Sequence, residues 1–152
     1  MTVNVKSLVG ILAIGLVAFA SCKKKSDDSA KAKLTGKWKL TKEAYDANSN
    51  GTMDASEVVP TSDSVSETIT FNGDGSGSVG YTIMGVSGSL PFSWKLINSD
   101  KDIVVTSTQP GSTTATSDTS HIESLTSSDL EISGTDNSSG TAIKSWSFLH
   151  KQ

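Results

Sequence analysis

Between Asp46 and Glu57 the chain sets an oxygen-bearing side chain at Asp46, Asn48, Asn50, Asp54 and Glu57, with Gly51 sixth in the run and Glu57 twelfth. A hard cation is the chemistry such spacing serves. Calcium takes six to eight oxygens, and alternate side chains of a tight loop converge on one point, which the glycine permits by letting the chain reverse. Asp, Asn, Ser and Gly also favour hairpin connections, so the same run suits a plain turn. Acid–base chemistry is poorly served elsewhere. His121 lies in a Ser/Thr-rich approach to a strand, and His150 stands near the C-terminus. Glu123, Asp129 and Glu131 fall on a predicted hairpin whose alternation turns them to solvent. With no nucleophile, base and carboxylate drawn together, the chain is expected not to be an enzyme.

The one cysteine, Cys22, ends an apolar run from Leu8 through Ala18-Phe19-Ala20-Ser21, preceded by Lys6. That run has the length of a secretory core and is too short to span a bilayer comfortably. The stretch resembles the lipobox of bacterial lipoproteins. The resemblance implies a signal peptide over residues 1–21, acylation of Cys22 and attachment to a membrane through that lipid. Residues 22–32, from Lys23-Lys24-Lys25 to Lys31-Ala32, carry no side chain large enough to pack and are expected to form a flexible tether. No Asp follows Cys22, which favours the outer membrane, on its periplasmic face or at the cell surface.

The chain carries 13 basic and 16 acidic residues, and every basic residue is a lysine. A net charge of −3 excludes a basic nucleic-acid binder, and the lack of arginine removes bidentate clamps for phosphate or carboxylate. Residues 33–152 have the size of one domain. Their pattern is β throughout. Trp38 and Leu40 alternate with Lys37, Lys39 and Thr41, and Ile69 with Phe71; Asn72-Gly73-Asp74-Gly75 then supplies a turn. Val79, Tyr81 and Ile83 return, Leu90 to Leu96 alternate cleanly, and Ile103 to Val105, His121 to Leu125, Leu130 to Ile132 and Ala142 to Leu149 follow. Pro91 points to an edge or bulge, and Thr106 to Ser120 reads as a long polar loop. About eight short strands joined mostly by short turns mark an all-β, antiparallel fold, a sandwich or an up-and-down barrel.

Leu34-Thr35-Gly36-Lys37-Trp38-Lys39-Leu40, the hairpin Ile69 to Ser78 and the strand Phe92-Ser93-Trp94-Lys95-Leu96 together resemble the lipocalin-like domains of small bacterial lipoproteins. This resemblance implies an up-and-down β-barrel of about eight strands that binds a small apolar ligand, with Trp38, Phe71, Tyr81, Phe92, Trp94, Trp146 and Phe148 as the expected lining. It also implies a basic side chain over Trp38 from near the last strand, a role that falls to Lys144. The loop at Asp46 resembles that of the EF-hand, which implies calcium ligands at Asp46, Asn48, Asn50, the carbonyl of Thr52, Asp54 and Glu57. Pro60 and the strand-like run before Asp46 leave no room for the flanking helices, so the loop is expected to stand alone. On this second view the domain is a structural or adhesion-type surface protein, ordered by calcium and meeting an envelope protein or glycan.

Overall fold

A computed structural model describes residues 28–62, 65–136 and 142–152. The predicted signal peptide and Cys22 lie outside those residues. Nine antiparallel strands make one sheet: β1 (Gly36–Tyr45), β2 (Val58–Pro60), β3 (Val65–Phe71), β4 (Ser76–Ile83), β5 (Val86–Ile97), β6 (Asp102–Thr108), β7 (Ala115–Leu125), β8 (Asp129–Asp136) and β9 (Ile143–Lys151). Each strand from β3 to β9 pairs with the next in sequence, and β9 returns to pair with β1. Eight strands therefore close an up-and-down barrel. The three-residue β2 lies beside the far half of β1, where β3 no longer follows it.

Period-two alternation builds the barrel wall. Trp38 and Leu40 of β1 point inward with Ile69 and Phe71 of β3, Phe92 and Trp94 of β5, Ile103 of β6, and Leu130 and Leu149 of β8 and β9. The lysines between them, Lys37, Lys39 and Lys95, point out. Gly77 faces Phe92 across the β4–β5 ladder, where an added Cβ would overlap the Phe92 ring. Phe71 meets Phe92 and Trp94 edge-on at 5.6 and 5.5 Å, so three aromatic rings fill this half of the barrel. Pro91 sits one residue beyond the β5–β6 pairing, where its missing N–H deprives no neighbour.

Three expectations are corrected. Residues Thr106 to Ser120 are mostly strand, with only Gln109 to Thr114 left between β6 and β7. Ser and Thr gave no hydrophobic signal there, yet the backbone ladder is complete and the Thr106 and Ser117 hydroxyls bond across it at 2.7 Å. The predicted tether is helical over its last residues: α1 spans Ala30–Leu34, started by Ser29, whose hydroxyl accepts from the Ala32 amide. A five-residue helix has no stability of its own. It is held because Leu34 is fully buried and its carbonyl accepts from the Trp38 indole N–H at 2.7 Å. Finally, Trp38 is covered by Lys151, not Lys144. Lys151 Nζ lies 5.2 Å from the Trp38 ring centre and donates to the Lys33 carbonyl at 2.7 Å. Lys144 lies over Trp146 instead, at 4.8 Å.

Candidate functional site

The barrel has two unlike ends. α1 and the short turns after β3, β5 and β7 gather at the end packed by Leu34 and Trp38, which is closed. At the other end the strands run past the core. A bulge between Leu40 and Lys42 shifts the alternation of β1, so Glu43 and Tyr45 point inward opposite Ser147 and Ser145 of β9. Glu67 follows from Ile69 and Phe71 on β3, and Tyr81 of β4 stands directly across from it. Asp118 of β7 pairs with inward-facing Val105. The rim is apolar on one side: Ile83 and Val86 are inward by register but 48% and 70% exposed, flanking the turn at Met84.

Glu43 and Glu67 border one cavity of about 210 Å³ together with Leu40, Thr61 and Ser62. Burial raises the Glu67 pKa, and the neighbouring Glu43 charge raises it further. Burial likewise raises the Tyr45 pKa, followed by the charge of Glu43, a hydrogen bond with Glu43 and the charge of Glu67. The two glutamates thus share one cavity at the mouth, with Tyr45, 46% exposed, beside them. Sequence reading missed both acids. Glu67 was legible, since it continues the inward register of Ile69 and Phe71; Glu43 was not, because the bulge reverses the count.

The predicted lining divides three ways. Trp38, Phe71, Phe92 and Trp94 are buried in the core and form the floor of the barrel rather than free wall. Tyr81 is half-buried on the inner wall of the mouth. Trp146 and Phe148 are corrected to the outer face. Their β1 partners are Ala44 and Lys42, whereas inward Leu40 pairs with Leu149, and Lys42 Nζ lies 5.7 Å from the Phe148 ring centre.

The loop from Asp46 to Glu57 closes on itself. Asp46 accepts from the amides of Asn50 and Gly51, and Glu57 from those of Ala47, Asn48 and Asp54. The Asn48 and Asn50 side-chain amides both donate to Asp54 Oδ2, at 2.8 and 3.0 Å. The Asn50 side-chain oxygen takes the amide and hydroxyl of Thr52. No EF-hand helices flank the loop: β1 precedes it, and a single 3₁₀ turn at Ala55–Glu57 leads into β2. Among the described residues no group of three His, Cys, Asp or Glu side chains is placed to hold a metal ion.

Both histidines lie on the outer surface beside an acid. His121 Nδ1 is 2.7 Å from Asp102, whose pKa is lowered by a hydrogen bond from Asn98 and then by His121. His150 Nδ1 is 2.9 Å from Asp129, whose pKa is lowered by Ser128 and then by His150. Glu123, in the β7 bulge, accepts from Ser133 and lies 3.9 Å from Lys144. These pairs are separate surface contacts between neighbouring strands.

No curated protein matches the chain. Among solved structures it is similar to the bovine lipocalin allergen Bos d 2, at 15% identity, covering 80% of this chain and 75% of that one, with a TM-score of 0.48. Bovine odorant-binding protein in complex with undecanal matches at 10% identity over 79% and 72%, TM-score 0.45. The siderocalin Ex-FABP matches at 16% identity over 79% and 74%, TM-score 0.45. Those likenesses concern the fold alone. The family model described as a lipocalin-like domain matches residues 34–132, more than half of the chain, and the protein belongs to that family.

Proposed function

We propose that the chain is a non-catalytic, lipid-anchored binding protein of the cell envelope, whose barrel admits a small ligand with an apolar body at its open end. One observation carries the ligand reading. The closed half of the barrel is filled by its own side chains, whereas the open half leaves a cavity against Leu40 and an inward-facing rim at Ile83 and Val86. The anchor rests on the Leu8 to Cys22 run, and an outer-membrane location on the lack of Asp after Cys22. Native mass spectrometry of the chain, exported by a Gram-negative host and released gently from its membranes, tests both parts. A diacylglyceryl mass on Cys22 and a co-purifying small molecule are expected. A polypeptide found soluble when Cys22 is intact refutes the anchor, and a chain that neither carries nor takes up any apolar molecule refutes the carrier.

A second reading, a surface protein ordered by calcium, is favoured by the convergence of Asn48 and Asn50 on Asp54. Rotation of those two amides would exchange N–H for oxygen and present a cation with several hard ligands. Under this reading calcium raises Tm, the Asp54→Ala variant loses the rise, and the outer face meets an envelope protein or glycan. An equal Tm in calcium and in chelator would refute it.

A further inference from the structure

We propose that the outer wall over β1, β9 and β8 docks a second copy of the chain, in a two-fold dimer whose axis runs along β9 and sets Lys39 and Lys42 of each copy against Asp129 and Glu131 of the other. This goes beyond the ligand reading, and its charge argument does not depend on it.

Strand pairing lays these residues out in rows. Lys42, Phe148 and Glu131 stand side by side on β1, β9 and β8, and Lys39, His150 and Asp129 form the next row toward the closed end. All six are outward positions, flanking the inward Leu40, Leu149 and Leu130. Each row thus runs from a cation through a ring to an anion, over two strand steps of about 5 Å each. Lys39 and Lys42 are exposed and Phe148 is half-buried, with Lys42 Nζ 5.7 Å from its ring centre. Neither lysine nor Glu131 joins any of the ion pairs among the described residues, and Asp129, though paired with His150, keeps its side chain 66% exposed. Lys144, further along β9, already lies beside Glu123. On the adjoining β3 and β4 the outward positions are Ser, Thr or Gly, so the charged pattern is confined to this stripe.

Such a stripe is complementary to itself, which is what an isologous contact requires. A two-fold axis along β9 exchanges left and right but keeps height along the strand. Lys42 then faces Glu131 of the second copy, Lys39 faces its Asp129, and the two Phe148 rings meet at the axis. An axis across the strands would lay lysine on lysine and acid on acid, at a cost that excludes it. The favoured axis also points the closed ends of both copies the same way, so that α1 of each enters from one side. Two chains anchored through Cys22 could therefore pair on one membrane with both mouths left open.

The surface has relief to match. Lys42, Asp129, Glu131 and Phe148 border one hollow of about 250 Å³ in the wall, open to receive the lysine stems of the second copy. Two convex walls touching over a few rows bury less than the ~1,200 Å² of a standard interface, which suits a weak dimer favoured by anchoring in one leaflet.

The test is cross-linking of the exported chain in host membranes by a short bismaleimide, with His150→Cys as the reporter. Residue 150 lies on β9, where the axis brings it opposite its own copy; acylation removes the Cys22 thiol, and the chain without the reporter controls for that. Covalent dimer should form with His150→Cys and be at least about tenfold lower with Ser89→Cys, an exposed outward position of β5 on the far wall. Lys39→Glu/Lys42→Glu makes the stripe acidic and Asp129→Lys/Glu131→Lys makes it basic. Each should lose the dimer by a similar factor, while the two expressed together, told apart by tags of different length, should restore it as a mixed dimer, which unfolded variants could not do. Raising the salt concentration should lower cross-linking without any charge change in the chain. Equal or absent cross-linking at the two reporter positions, indifference to salt or to charge reversal, or a mixture that fails to restore the dimer each overturns the proposal. A chain found in the soluble fraction overturns the anchor alone, and the same cross-link then reads the dimer in solution.

Discussion

Leu34→Ala tests whether α1 is a structural plug of the barrel or the end of a tether. Leu34 is fully buried under the closed end, beside the Trp38 indole that donates to its carbonyl. Removing three carbons from such a site forfeits about 2.4 kcal/mol of transfer free energy at ~0.8 kcal/mol per carbon. Incomplete collapse of the space left behind brings the total to about 3 kcal/mol, within the ~2–5 kcal/mol span of buried Leu→Ala changes. At ~2.1 cal/mol/K per residue, a domain of about 120 ordered residues has an unfolding entropy near 0.25 kcal/mol/K, so Tm should fall by about 12 °C. Thermal unfolding followed by near-ultraviolet circular dichroism reads this directly. Lys31→Ala, at an exposed position of the same helix, is the control and should stay within about 2 °C, since surface changes rarely exceed ~0.5 kcal/mol. A fall for Leu34→Ala no larger than that of the control would show that the helix contributes nothing and that the domain begins at β1.

Two further changes probe the ends of the barrel. Lys151→Ala removes both the charge over Trp38 and the donor to the Lys33 carbonyl, a loss of about 1–3 kcal/mol, whereas Lys144→Ala on the outer face should cost about 1 kcal/mol or less. Chemical denaturation of the two variants checks the order, and a larger loss for Lys144→Ala would restore the cover of Trp38 to that residue. At the mouth, Glu67 holds its proton more tightly in the folded chain than in the unfolded one, so it adds stability while protonated and loses it as pH rises through its raised pKa. Glu67→Gln should therefore be the more stable form at neutral pH, and the gap should close on acidification. Tm measured from about pH 4 to about pH 8 tests the sign, and a gap that widens toward acid would refute it.

The wall of the barrel was legible because its alternation is written in large apolar residues: Trp38 with Leu40, Ile69 with Phe71, and Phe92 with Trp94 with Leu96 all point as a period of two requires. Where the inward residues are small or polar, the same geometry is silent. β6 and β7 pair fully through Thr106, Ser107, Thr116 and Ser117, residues whose hydropathy does not distinguish a strand from a loop. The site failed to be legible for a different reason. Alternation puts Trp146 and Phe148 on one face without saying which, because β9 carries apolar residues on both faces, with Leu149 inside and Phe148 and Trp146 outside, and only the pairing with β1 tells which set is which. A single bulge in β1 then moved Glu43 into the mouth.

The two ends of the molecule also fix how the mouth would stand relative to an anchor. The chain enters the barrel through α1, packed at the closed end, and Tyr45, Glu67 and the β4–β5 turn lie at the opposite end. From Cys22 to Ser29 is a span of seven residues, which reaches at most about 25 Å when fully extended. An acylated Cys22 would therefore keep the closed end within about 25 Å of the bilayer, with the mouth at the opposite end of the barrel. With the mouth at the end opposite the tether, tether length is expected to be a neutral variable for uptake from water. Inserting a flexible stretch after Lys25 should leave uptake of a small apolar ligand by membrane-bound protein unchanged, whereas a mouth that had to face the bilayer would respond to the added reach.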